Sequence, residues 1–232
     1  MAKITKAYIL KIDDPVSHEY AQVCADSCVK VGLPFEYFVG YQNQTGASAL
    51  AQTGIKTQFV NSPYEFLENP SSGHRAMCCS AGHYAIWKKI AEGPDKAAAI
   101  LEHDAIMLQP MDIHIPNNRM VVLGYKLQDP SKYDHIKAGP PKAFYDITGH
   151  EGAHAYAMTK ETAQFLIKEM EEIGIHSAVD NDYFILRQRR TQVPLAIMSP
   201  TPAMGWLRKS TIWGGSAHRN YQFIPSFQEN YK

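Results

Sequence analysis

The stretch Lys6-Ala7-Tyr8-Ile9-Leu10-Lys11-Ile12 runs directly into Asp13-Asp14-Pro15. Its apolar residues are broken by few polar ones, the mark of a strand buried in a sheet. Two aspartates and a proline then end the strand and open a helix, because Asp caps and Pro suits the first helical turn. Val16, Tyr20, Val23, Cys24, Cys28 and Val31 recur at helical spacing, so the helix is expected to run to about Lys30. Gly32 ends it, and 35–39 reads as a second strand. A strand, helix and strand in this order imply parallel strands joined by a right-handed crossover.

Outward from this unit, 42–61 is polar and weakly patterned, and Asn69-Pro70-Ser71-Ser72-Gly73 is a turn cluster. A helix is expected over 74–92, a short apolar strand over 97–101, and another strand over 121–124. The segment 129–141, rich in Pro, Lys and Gly, reads as a loop. A strand follows at 153–158, then a helix from Thr159 to about Ile173. Ser177-Ala178-Val179-Asp180 has the spacing of a capping box and is expected to open a helix through about Arg189. A last strand at 195–198 precedes a tail with Gly, Pro and aromatics but no periodicity. With no repeat and no linker, the chain is expected to be one α/β domain over 1–232, a mixed sheet flanked by helices.

Composition narrows the function. The 232 residues are 20% charged and 11% aromatic, enough apolar material for a core, which excludes a disordered chain. Lys plus Arg and Asp plus Glu are each 23, so the global basic surplus of a nonspecific nucleic-acid binder is absent. A local basic face would draw on Arg187, Arg189, Arg190, Arg208 and Lys209. No apolar run nears the roughly 18 residues of a membrane span. The apolar stretch 7–10 is too short for a signal sequence, so a soluble cytoplasmic protein is expected. Cys24, Cys28, Cys78 and Cys79 do not have zinc-finger spacing and read as small buried residues.

The sharpest chemical signal is Glu102-His103-Asp104 at the end of an apolar strand. Alternate strand residues point the same way, so both carboxylates are expected to face one site. Strand C-termini are where α/β sheets bind ligands. Such a pair can hold a hard divalent cation, which neutralises a diphosphate. Asp180 and Asp182 form a second acidic pair that reads either as a helix cap or as a general base. His218, in Gly214-Gly215-Ser216-Ala217-His218, sits in a loop that glycines allow to fold over a ligand, where a histidine can join a metal. His83 and Trp87 share one helix face. His150 and His154 lack HExxH spacing, and the usual dinucleotide, ATPase and α/β-hydrolase glycine motifs are absent.

In this order the segments resemble glycosyltransferase family 25, the lipooligosaccharide and procollagen galactosyltransferases. The resemblance rests on Ala7-Tyr8-Ile9-Leu10-Lys11-Ile12-Asp13, on Val31-Gly32-Leu33-Pro34-Phe35-Glu36, and on Cys79-Ser80-Ala81-Gly82-His83 with Trp87 and Ile90. It continues through Ala99-Ile100-Leu101-Glu102-His103-Asp104-Ala105, Gly152-Ala153-His154-Ala155-Tyr156-Ala157-Met158 and Ala178-Val179-Asp180 to Pro200 and Ser210-Thr211-Ile212. His103 replaces the middle acid of the family's acidic triplet, Cys78 a glycine and Gly82 a serine. The basic cluster that follows the first strand in the family is replaced by Asp14-Pro15.

The resemblance implies a GT-A fold, with a donor half at about 1–125 and an acceptor half at about 126–232. It implies a nucleotide-sugar donor, UDP-linked, a manganese (or magnesium) ion and inversion at the anomeric carbon. A hexose, galactose or glucose, would pass to a glycan or another hydroxyl acceptor. Asp104 would be the main metal ligand with Glu102 in support, and His218 a third. Lys11, Asp13, His83, Glu102 and His103 would lie at the donor. Asp180 would be a base or an acceptor-site acid, with Asp182, which has no family match, its competitor on geometry alone. Two alternatives stay open: a catalytically inactive module that binds sugars or a partner, and transfer to a hydroxylated nucleic-acid base.

Overall fold

The computed structural model describes residues 1–60, 70–110, 112–126, 143–150, 152–185, 193–199 and 201–205. In chain order the elements begin β1 (Ala2–Lys3), β2 (Lys6–Lys11), α1 (Pro15–Lys30), β3 (Phe35–Val39), α2 (Gly46–Gln52) and α3 (Pro70–Glu92). Then come β4 (Ala97–Glu102), β5 (Ala105–Met107), β6 (His114–Ile115), β7 (Met120–Val122), β8 (Gly124–Lys126) and β9 (Ala143–Ile147). β10 (Ala155–Thr159), α4 (Lys160–Ile173), a π turn (Asn181–Ile185), β11 (Leu195–Ser199) and β12 (Ala203–Gly205) complete them.

A seven-stranded mixed sheet, ordered β3-β2-β4-β10-β7-β11-β9, carries the fold. β3, β2 and β4 are parallel, as the opening strand–helix–strand pattern requires. β10 enters antiparallel between β4 and β7, which makes the sheet mixed. β5-β12-β8 and β1-β6 form two smaller sheets. No helix among the described residues is long and apolar enough to cross a membrane.

The sheet is covered on both faces, and strand alternation decides which side chain meets which helix. Tyr8, Leu10, Ala98, Ile100, Tyr156 and Met158 pack with α2, α3 and α4. Ala7, Ile9, Ala97, Ala99, Leu101, Ala155 and Ala157 pack with α1. The α1 face is built of small residues, Ala21, Cys24, Ala25 and Cys28, while Val16 is exposed. The stripe therefore runs through the small residues rather than through Val16, because the helix lies close on alanine-lined strands. All four cysteines are free thiols. Asp14 caps α1 as expected, its side chain accepting from Val16 N and Ser17 N, with Pro15 in the first turn.

Several expected elements shift. α3 starts at Pro70 rather than at 74, since proline is at home in a first helical turn. The single strand expected at 121–124 is two, β7 and β8, in different sheets. The break lies at Leu123-Gly124, where a Cβ on Gly124 would stand 2.7 Å from the Ala203 carbonyl oxygen, so only glycine lets β8 lie against β12. The polar region after Gly40 holds α2, capped by the Thr45 hydroxyl accepting from Ser48 N and anchored by buried Ala49 and Leu50. Strand β12 lies in the expected irregular tail, and β9 was not legible from the sequence pattern. At 177–180 the Ser177 hydroxyl accepts from the Asn181 side chain, and a π turn follows instead of a regular α-helix over its described residues.

Candidate functional site

Glu102 is the last residue of β4, paired in register with Leu10 of β2. Alternation carries it onto the α3 face, where His83 Nε2 lies 3.1 Å from its Oε1 and the Cys79 thiol 3.8 Å from the same oxygen. Cys79 and His83 are one turn apart on α3. Behind them, Trp87 Nε1 donates to the Tyr156 hydroxyl at 2.7 Å, and that hydroxyl lies 2.9 Å from His83 Nδ1. An indole nitrogen only donates, so the Tyr156 hydrogen is free to go to His83 Nδ1, and His83 Nε2–H then donates to Glu102. This chain satisfies each polar atom in turn. Trp87, Tyr156 and His83 have no exposed surface, so the relay reaches solvent only through Glu102, whose side chain is 29% exposed.

The charges follow from this arrangement. Burial pushes the Glu102 carboxyl up, but the His83 hydrogen bond and the charges of His83, His154 and His103 outweigh it and bring it down to about 2. Glu102 is therefore an anion throughout the working range. Asp180 moves the other way: burial pushes it up, the neighbouring Glu102 charge pushes it further, and a hydrogen bond from Asn181 N only partly offsets them. The Cys79 thiol is driven well up by burial and then by the charges of Glu102, Asp180 and Asp104. Cys79, Glu102, Asp104 and Asp180 thus share one electrostatic neighbourhood. Ser80, beside Cys79, accepts from Val179 N at 2.9 Å and ties the Asp180 segment to α3.

His103 faces the opposite side, toward α1. Its Nδ1 is 2.7 Å from the Ser17 hydroxyl, and its ring meets Tyr20 edge-on. Ser17 also accepts from Ile12 N, which fixes its hydroxyl oxygen beside His103 Nδ1. Burial lowers the His103 pKa against the charges of Glu102 and Asp14, which keeps the ring neutral at neutral pH. Asp104 lies in the tight turn between β4 and β5, where strand alternation no longer holds. Alternation therefore does not set the direction of Asp104 relative to Glu102; the turn does. The Asp104 charge helps raise both the Cys24 thiol of α1 and the Cys79 thiol of α3.

Other expected residues sit apart. Asp13 is exposed and pairs with His18 at 3.4 Å. Lys11 lays its ammonium 4.7 Å from the Tyr37 ring centroid. Asp182 turns to its own loop, its Oδ2 accepting from His176 N at 2.9 Å. His154 anchors Gly124 O through Nε2 at 3.1 Å, and its backbone carbonyl accepts from Glu102 N. His218, the basic residues Arg187, Arg189, Arg190, Arg208 and Lys209, the loop 129–141, Pro200 and Ser210-Thr211-Ile212 lie outside the described residues. Sequence reasoning missed Cys79 and Tyr156 as members of the cluster. The signal for Cys79 was its place one turn before His83, on the same face.

Cys79, His83 and Glu102 each offer a donor atom, all within 4.8 Å of one another, a grouping able to hold a metal ion.

No family model and no curated protein matches the chain. Solved structures similar to it include the glycosyltransferase GlyE of Streptococcus pneumoniae TIGR4, 8% identical over 99% of this chain and 60% of that one, with TM-score 0.47. They include the galactosyltransferase LgtC, solved with donor and acceptor sugar analogs, 11% identical over 97% of this chain and 95% of that one, with TM-score 0.44. A glycosyltransferase involved in glycosylation of the major capsid of PBCV-1 is 12% identical over 72% of this chain and 68% of that one, with TM-score 0.33. This chain thus spans 60% of the length of GlyE.

Proposed function

We propose that this chain is a glycosyltransferase of GT-A type, similar to family 25. It would move a hexose from a UDP-linked nucleotide sugar to an acceptor hydroxyl, on a glycan, with inversion. The observation that carries the proposal is Glu102 at the end of the central strand β4, held by His83 Nε2 at 3.1 Å, with the Asp180 segment tied to the same helix where Ser80 accepts from Val179 N. The opposite drive on the two carboxyls, Glu102 down and Asp180 up, supports it. Environments that push two acids apart divide their roles, one a fixed anion and one a proton acceptor. Asp180 takes the proton of the attacking hydroxyl. Glu102, held in place by His83, is the fixed anion of the donor site.

Glu102 and Asp104 supply hard oxygen donors, which suit manganese or magnesium, and such an ion would stabilise the charge of the leaving diphosphate. His103, its Nδ1 held by Ser17, stands beside Glu102 in the chain at the end of β4, where its ring would meet a donor ribose or phosphate. Residues 1–125 form the donor half and 126–232 the acceptor half, and the protein works in the cytoplasm.

The test is Asp180→Asn. Donor binding by calorimetry stays within about twofold of wild type, while transfer measured by nucleoside-diphosphate release falls by roughly 10²–10⁴. Wild-type turnover in this variant would overturn the assignment of the base. No release from wild type with any donor and acceptor would overturn transfer itself and leave a binding module.

A further inference from the structure

We propose that Cys79, His83 and Glu102 form a site for a borderline-soft divalent cation, zinc foremost, distinct in chemistry from the carboxylate pair Glu102 and Asp104. The three donor atoms lie within 4.8 Å of one another. His83 Nε2 is 3.1 Å and Cys79 Sγ 3.8 Å from the same Glu102 oxygen. Zinc bonds of about 2.3 Å to sulfur and about 2.0–2.2 Å to nitrogen and oxygen put tetrahedral ligand atoms roughly 3.3–3.6 Å apart. Side-chain shifts on the order of 1 Å or less close the site around an ion of that size.

Three further features suit a metal. Two ligands sit one turn apart on a long helix and the third ends a central strand, so rigid elements hold all three. His83 has its outer partner in place: the Tyr156 hydroxyl at Nδ1, itself held by Trp87, fixes the ring as outer partners fix metal-bound histidines. Finally, the partial exposure of Glu102 leaves a solvent-facing side for a fourth, water ligand. A thiolate and an imidazole select zinc over manganese or magnesium, which prefer oxygen.

Protons balance as follows. Cys79 releases its thiol proton to solvent. On binding, the His83 hydrogen moves from Nε2 to Nδ1 and is donated to the Tyr156 oxygen, whose own hydrogen turns away from the ring; this frees the Nε2 lone pair for the ion. Glu102 is already ionised. The site depends on these three side chains and not on sugar transfer.

Metal-free full-length protein is titrated with zinc by calorimetry and with cobalt(II) by absorption. One ion per chain and a thiolate-to-cobalt charge-transfer band are expected. Cys79→Ser loses the band and weakens zinc at least tenfold, and Tyr156→Phe keeps the band while weakening zinc by about 10–100-fold. Zinc also shields Cys79 from an alkylating reagent, mapped by mass spectrometry on wild type, a readout that survives if either variant fails to fold. Absence of zinc uptake, uptake without the band, unchanged affinity in folded Cys79→Ser, or undiminished alkylation of Cys79 would each overturn the proposal.

Discussion

Replacing Tyr156 with phenylalanine deletes one oxygen from the middle of the buried relay and leaves the ring that packs against Phe184. The hydroxyl lies 2.7 Å from Trp87 Nε1 and 2.9 Å from His83 Nδ1. All three side chains are fully buried, so water cannot replace the oxygen without rearrangement. Each buried polar atom left without a partner costs about 1–3 kcal/mol, and the variant strands two, for a loss of roughly 2–6 kcal/mol with no cavity term. Urea unfolding followed by circular dichroism measures this as a lower midpoint with an unchanged m-value. Trp87→Phe removes the stranded donor, so the double variant should cost at least about 1 kcal/mol less than the sum of the two single ones. A loss below about 0.5 kcal/mol in Tyr156→Phe, or strict additivity in the pair, would refute the relay.

Three other outcomes follow from the site and its supports. Asp180 has a raised pKa in the folded chain, so the native state binds more protons than the unfolded one just above the ordinary carboxylate range, and stability falls as pH rises through that window. Asp180→Asn is therefore more heat-stable than wild type at pH 7, with the gap closing toward acid; a less stable variant at pH 7 contradicts the shift. Glu102 runs the opposite way. Its lowered pKa stabilises the native state above the unfolded pKa, and that stability is lost as pH falls through the folded one. The stability gap between wild type and Glu102→Gln thus narrows from pH 4.5 toward pH 2, and a gap that stays constant over that range sinks the argument. Gly124→Ala forces a Cβ to 2.7 Å from backbone oxygen and 2.8 Å from the carbonyl carbon of Ala203. It should cost about 1–3 kcal/mol, and a thermal midpoint matching wild type would show that β8 and β12 can part freely.

The parts of the fold legible in the sequence are those where local chemistry and tertiary packing agree. Asp14 and Pro15 start α1 by capping, and the apolar runs of β2 and β4 are buried on both faces, so pattern and structure coincide. α2 was hidden because only Ala49, Leu50 and a few neighbours are buried in seven residues, too short for a period to show. β12 and the split between β7 and β8 depend on a close backbone approach at Gly124, a contact between residues far apart in the chain. The acidic motif at the end of β4 was legible, because an apolar run ending in charge marks a strand leaving the core. Its surroundings were not. That Glu102 faces α3 and His103 faces α1 follows from register, and Asp104 sits in a turn where alternation stops. Tyr156 comes into contact with His83 and Trp87 only because β10 inserts antiparallel beside β4.

The central claim is that the carboxylates after β4 hold a cation that receives a nucleotide sugar. The direct measurement is calorimetry of a panel of nucleotide sugars, with and without manganese, on wild type and Asp104→Ala. The account predicts that one donor binds only with manganese and that Asp104→Ala abolishes this binding while staying folded. Donor binding that ignores manganese, or that survives in Asp104→Ala, would contradict it.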